Sequence, residues 1–227
     1  MTLGYVRQDM ERVCFLLYLW RLREMGNKTE KNSKKEKKMK KAPEIIKLPW
    51  VDDKSADYFS DEDFRKIYNF FVTNTPCEDL SSRAITLQEY GWKTPWRKPF
   101  YLNKQLKTAS SNYKLIYSAS TYNAVADALE KSDLKSDFPE KANIERICIY
   151  DSKSNQFMSV FAHIRNAFAH GRFKVVPVND LPDSVFIFED IAKNNKISAR
   201  MILRKSTLLK WISIISGGER KFEESNK

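Results

Sequence analysis

The chain has 227 residues, enough for one well-cored domain with appendages but marginal for two. Its formal charge is +11 and only six residues are glycine, which argues against a collagen-like or propeller architecture and favours polyanionic partners. No GxxxxGK[ST] or GxGxxG string is present, so no phosphate-cradling loop of those kinds is encoded.

Residues 5–25 read as a helix ending near Gly26. Within it, residues 13–20 are apolar but too few to cross a bilayer. Asp9, Glu11 and Arg12 precede them, where a signal peptide carries only positive charge. The expectation is a cytoplasmic protein without stable membrane insertion. Residues 28–41 then hold eight lysines against Glu30 and Glu36, or +6 of the net charge. That stretch reads as a solvated linker able to add salt-sensitive, sequence-independent affinity for RNA.

Pro43 and Pro49 mark re-entry into folded structure. Ser60-Asp61-Glu62-Asp63 opens a helix in which Phe64, Ile67, Tyr68 and Phe71 recur at helical spacing. A second helix is predicted over 81–90, stopped by Gly91. Residues 91–100 form an aromatic, basic loop. Its Trp96, Arg97 and Lys98 are candidates to hold RNA by stacking and charge, although tryptophans in such a loop also serve to cover a core. A long helix is predicted over about 111–131, and residues 144–150 fit either helix or strand.

The next helix covers about 154–170 and closes at Gly171. The period then changes to two: residues 173–178, 185–189 and 197–203 read as strands, followed by a helix over about 206–216. The implied organisation is an N-terminal helix (1–26), a Lys-rich linker (27–48), a folded domain (49–217) and a tail (218–227). Cys14, Cys77 and Cys148 are scattered and read as buried thiols of a reducing compartment, not as a metal site. No cofactor is expected.

The helix over 154–170 carries both histidines of the chain, His163 and His170. In projection, Phe157, Val160, Phe161, Ala167 and Phe168 fall within about 60° of Ile164 and form a core stripe. Arg165, Asn166, His170 and His163 fall on the other side, with only Ser159, Ala162 and Ala169 between them. Small spacers let a second surface approach closely, so this face is expected to meet a helix, a nucleic acid, or both. Asn166 and His170 are four apart and hence neighbours, and the amide can hold the imidazole in one tautomer. Arg165 and His170 are about 140° apart, which one straight helix does not aim at a single phosphate. Two copies packed about a two-fold axis can, so a homodimer through this helix is the economical arrangement. His163 and His170 are separated by roughly 10 Å of rise, too far to share a zinc ion.

The string HIRNAFAHGRF resembles the RxxxxH signature of the HEPN superfamily, and its setting is similar to a plasmid- and defence-associated branch. The likeness runs over residues 60–216. It implies a mainly α, HEPN-like helical bundle to which a C-terminal β-hairpin is added. It further implies dimerisation through the motif helix and metal-independent RNA cleavage in toxin–antitoxin, abortive-infection or other antiviral systems. An antitoxin or a defence-complex subunit is the implied protein partner. Arg165 matches the family arginine, Asn166 the polar residue after it, and His170 the histidine. Some toxin members carry a tyrosine two residues after the histidine; here that residue is Arg172, which suits RNA binding instead. His163 is a further RNA-contact candidate without a family counterpart.

The implied chemistry uses the RNA 2′-OH as nucleophile. His170 suits proton transfer, Arg165 suits charge stabilisation on the phosphate, and Asn166 suits orientation. Two other classes of function compete with it: a non-catalytic RNA-binding or scaffold subunit, and a nucleotide sensor. The second has no phosphate loop to support it.

Overall fold

The computed structural model describes residues 58–77, 85–96, 101–109, 116–135, 144–151, 153, 155–177 and 183–225. The N-terminal helix and the lysine run read from the sequence lie outside these residues.

The architecture is α/β, not the mainly helical bundle with an added hairpin that the resemblance implied. Five strands form one mixed sheet: β1 (Ile116–Ala119), β2 (Arg146–Tyr150), β3 (Phe173–Pro177), β4 (Ser184–Ile191) and β5 (Ile197–Arg204). Their order is β1-β2-β5-β4-β3; β1 and β2 are parallel and every other pair is antiparallel. The expected hairpin is therefore no appendage, because β5 lies at the centre and pairs with β2 as well as β4. The helices are α1 (Glu62–Asn69), α2 (Tyr101–Thr108), α3 (Tyr122–Lys131), α4 (Gln156–Ala169) and α5 (Lys205–Ser225).

The predicted helix over 111–131 is divided into strand β1 and helix α3. Ile116 and Tyr117 are strand-favouring types, and Thr121 takes extended backbone (φ −135°, ψ 151°). Its hydroxyl accepts from Ala124 N at 3.2 Å, which caps a shorter helix. Tertiary pairing outweighs the helical periodicity here, since β1 extends the sheet alongside Ile147, Cys148 and Ile149, all buried. Helix α2 lies between the predicted loop (91–100) and the predicted helix (111–131), in residues to which the sequence reading assigned no element. Of the helix predicted over 81–90, the described part is a single turn, with Tyr90 N donating to Thr86 O and Trp92 N to Leu87 O.

The period-two pattern sorts the sheet's side chains between two cores. On one face Ile147, Ile149, Phe186, Phe188, Ala199, Met201 and Leu203 join α1, α4 and α5 in an aromatic-rich cluster. On the other, Cys148, Val185, Ile187 and Ile202 pack with Val125, Ala128, Leu129 and Leu134 of α3 and its end. Burial pushes the Cys148 thiol up to about 11, so it stays protonated and inert.

Asp61 caps α1, accepting from Asp63 N at 2.8 Å and Phe64 N at 3.3 Å. Helix α1 then runs into a wider, π-type turn over Phe70–Asn74. At the C-terminus the predicted stop at Gly217-Gly218 is a kink, not an end: Gly218 (φ 65°, ψ −175°) breaks the helical geometry and helix resumes to Ser225. A Cβ on Gly218 would sit 2.4 Å from Tyr90 O, so only glycine lets the two backbones meet.

Candidate functional site

Helix α4 carries the R-x4-H motif. Asn155 caps its start, accepting from Phe157 N at 2.8 Å. Its end is a Schellman arrangement in which Arg172 N donates to Ala167 O at 2.8 Å and Gly171 N to Phe168 O at 3.1 Å. Gly171 supplies the required left-handed residue (φ +64°) and the chain turns directly into β3. His170 is the cap residue (φ −98°, ψ 2°) and sits exposed where helix becomes strand.

The projection's core stripe is buried as expected: Phe157, Val160, Phe161, Ile164, Ala167 and Phe168 are at most 3% exposed. Phe157 and Phe161 lie against Trp211, and Phe168 against Phe188. The opposite side does meet a second surface, but over much of its length that surface is the chain's own sheet. Ser159 and Ala162 are buried, and the Ser159 hydroxyl donates to Asp151 Oδ1 at 2.7 Å.

His163 lies inside this contact, 4% exposed. Its Nδ1 is 2.7 Å from Asp190 Oδ2 and its Nε2 is 2.8 Å from the Tyr150 carbonyl oxygen. Both ring nitrogens face acceptors. The expected RNA contact by His163 is corrected: the ring is enclosed and its nitrogens are committed to β4 and β2. Burial alone raises the Asp190 carboxyl, but the hydrogen bond and charge of His163, with a hydrogen bond from Asn166, hold it below its ordinary 3.8.

Asn166 is half-buried, and its Nδ2 donates to Asp190 Oδ2 at 3.2 Å. The amide is thus anchored on the sheet through its nitrogen. Arg165 is half-buried too. Its Nε is enclosed without a hydrogen-bond partner, and no described carboxylate pairs with the guanidinium. Burial pulls its pKa below the ordinary arginine value, with the nearby Cys77 opposing. Cys77 and Cys148 are both buried thiols outside any disulfide. Ala169 and His170 are exposed, and no described residue bonds the His170 ring. The open part of the motif face is therefore Arg165, Asn166, Ala169 and His170 at the C-terminal end of α4.

Arg172 is partly exposed, and its positive charge bears on Glu189 of β4. Trp96 is packed against the aromatic core and is only partly accessible. Its neighbour Trp92 is 1% exposed and donates from Nε1 to Ile215 O at 2.9 Å. The tryptophans of this loop cover the core, so base stacking by Trp96 is not what holds it in place. Arg97 and Lys98 lie outside the described residues.

Asp190 escaped the sequence reading. The signal available was a pair of acids, Glu189 and Asp190, at the end of the apolar run 185–188 in a strand. Two carboxylates in a buried strand require buried partners. Among the described residues no three His, Cys, Asp or Glu side chains cluster as metal ligands would, and no helix is long and apolar enough to cross a membrane.

A mixed five-stranded sheet wrapped by helices, with R-N-x3-H closing the central helix, defines an α/β domain built around an RxxxxH motif. Residues 80–216, more than half of the chain, match the family model HEPN pEK499 p136, and the chain belongs to that HEPN family. No curated protein and no solved structure matches it.

Proposed function

We propose that the protein is a metal-independent endoribonuclease of a toxin or antiviral system, acting at a site completed by two copies of α4. One observation carries the reading. A half-buried guanidinium and an exposed imidazole, neither with a partner among the described residues, share the open end of the motif helix. An enclosed arginine without a counter-charge is an incomplete site, and an RNA phosphate supplies the missing anion.

In this reaction the 2′-OH attacks the adjacent phosphorus, its proton goes to a base, and the 5′-oxygen leaves with a proton from an acid. His170 transfers protons, Arg165 stabilises the charge on the phosphorane, and Arg172 adds a phosphate contact two residues away. The product carries a 2′,3′-cyclic phosphate or the 3′-phosphate derived from it. The expected partners are RNA, a second copy of the chain, and an antitoxin or defence-complex subunit.

The test is cleavage of RNA and of a matched DNA in excess EDTA. RNA is cut, DNA is not, and His170→Ala or Arg165→Ala each lowers cutting by on the order of 10²- to 10⁴-fold while the fold is kept. Loss of wild-type activity in EDTA ends this reading.

A specific observation favours the second reading, a non-catalytic RNA-binding or scaffold subunit. Two polar residues of the motif face, His163 and Asn166, are bonded to Asp190 and so already serve the fold. Equal or absent cutting by wild type and His170→Ala selects it.

A further inference from the structure

Asp190 Oδ2 receives two donors from one face of α4, His163 Nδ1 at 2.7 Å and Asn166 Nδ2 at 3.2 Å. The orientation of the Asn166 amide follows from charge. A carboxylate repels the amide oxygen and attracts the NH₂, so Asp190 forces Nδ2 towards the sheet and leaves Oδ1 turned away from it. Oδ1 has no partner among the described residues. One turn further on, at i+4, stands the unbonded ring of His170.

We propose that Asp190 is a positioning residue for His170, acting through Asn166. The carboxylate fixes the amide, and the amide oxygen accepts the ring N–H of His170, which selects one tautomer of the neutral imidazole. The other ring nitrogen then presents its lone pair outward, ready to take a proton. His163 completes the unit from the inside. Its second nitrogen is held by the Tyr150 carbonyl on β2, so Asp190 is clamped between strand and helix and cannot rotate away. The observed contacts run from Tyr150 and Asp190 on the sheet to Asn166 on the motif helix; the link from Asn166 to His170 is the proposed one. The catalytic part of this inference rests on the nuclease reading above; the tautomer does not.

With two histidines in the whole chain, isotope-labelled histidine yields spectra of two rings, one buried and one exposed. Long-range proton–nitrogen spectra of the full chain, at a pH where His170 is neutral, report its tautomer directly. The expected result is one dominant tautomer in wild type and a mixture in both Asn166→Ala and Asp190→Asn. RNA cleavage by the same proteins falls by about 10- to 100-fold in kcat, with KM little changed. Should Asp190→Asn not fold, the exchanged pair Asp190→Asn/Asn166→Asp carries the test. It restores the contact with donor and acceptor reversed and sets a carboxylate beside His170, so the His170 titration midpoint moves up.

The same tautomer mixture in wild type and variants, or an unmoved midpoint in the exchanged pair, overturns the proposal. A tautomer that responds as expected in a protein that cuts no RNA upholds the positioning role and removes only the nuclease reading.

Discussion

Glu189 and Asp190 are adjacent on β4, yet they serve opposite faces of the sheet. Glu189 lies directly across from Arg200 in the β4–β5 register, and its Oε2 accepts from Arg200 Nε at 3.0 Å. Arg200 is 1% exposed, and its Nη1 donates to the carbonyls of Leu134 and Lys135 at 2.8 and 2.9 Å. That network is enclosed, with Arg200 and Glu189 only 1% and 4% exposed, and it ties the end of α3 to the sheet. Asp190 also has a buried partner, the His163 ring, but its second donor, Asn166, stands at the partly exposed end of α4. Burial forces both acids to find partners. Only Asp190 hydrogen-bonds a residue of the motif, Asn166, at the partly exposed end of α4.

The largest effect is expected on the closed side. Arg200→Ala leaves the Glu189 carboxyl enclosed without its partner, and should lower unfolding free energy by about 3–5 kcal/mol in urea denaturation. Whatever fraction remains folded should keep its cleavage rate. His163→Ala should cost less, about 2–3 kcal/mol, because Asn166 still bonds Asp190, but it should lower cleavage as well. If Arg200→Ala and His163→Ala affect RNA cleavage by the folded protein alike, the distinction between the two faces is lost.

Next in size is a pH dependence of opposite sign for the two acids. Asp190 is held below its ordinary 3.8 when folded, so its stabilisation is complete above 3.8 and is lost as pH falls through the lower folded value. Burial raises Glu189 above its ordinary 4.5 despite Arg200, so its favourable contribution is complete below 4.5 and is lost as pH rises through the folded value. Denaturation curves of wild type, Asp190→Asn and Glu189→Gln from pH 3 to 7 should show the two slopes removed one at a time.

Gly171→Ala meets no atom within 4 Å, so its cost is confined to the left-handed backbone, about 1–2 kcal/mol. The smallest effect is expected at His170. As an exposed ring without a bond, His170→Ala should change stability by no more than about 0.5 kcal/mol while abolishing cleavage. A large loss of stability there would assign His170 to the fold.

Much of this was legible locally. The cap at Asp61, the apolar stripe of α4, the closing Gly171 and the three alternating strands after it all depend on residues within a few positions of one another. The RxxxxH motif was legible for the same reason, and with it the HEPN assignment. The division of residues 111–131 was not, because Leu115, Ala119, Tyr122, Ala126 and Leu129 satisfy a helical period over a stretch that holds both strand and helix. In the structure Ala126 is exposed, and Val125, Ala128 and Leu129 form the buried face of α3. Pairing with β2, thirty residues downstream, decides the matter. The polar side of α4 was read as a face for a second helix or a nucleic acid, whereas over much of its length the structure sets the chain's own sheet there.

The amino-acid sequence alone determined that one helix would bury Phe157, Phe161, Ile164 and Phe168 and end at Gly171 with an arginine, an amide and a histidine on its other side, because helical period and capping act over a turn or two. Only the tertiary structure decided which of those polar groups remain available. Asp190 lies 24 residues from Asn166 and 27 from His163, and a carboxylate carried there on a buried strand claims the amide and the inner ring, leaving Arg165 and His170 without a partner among the described residues.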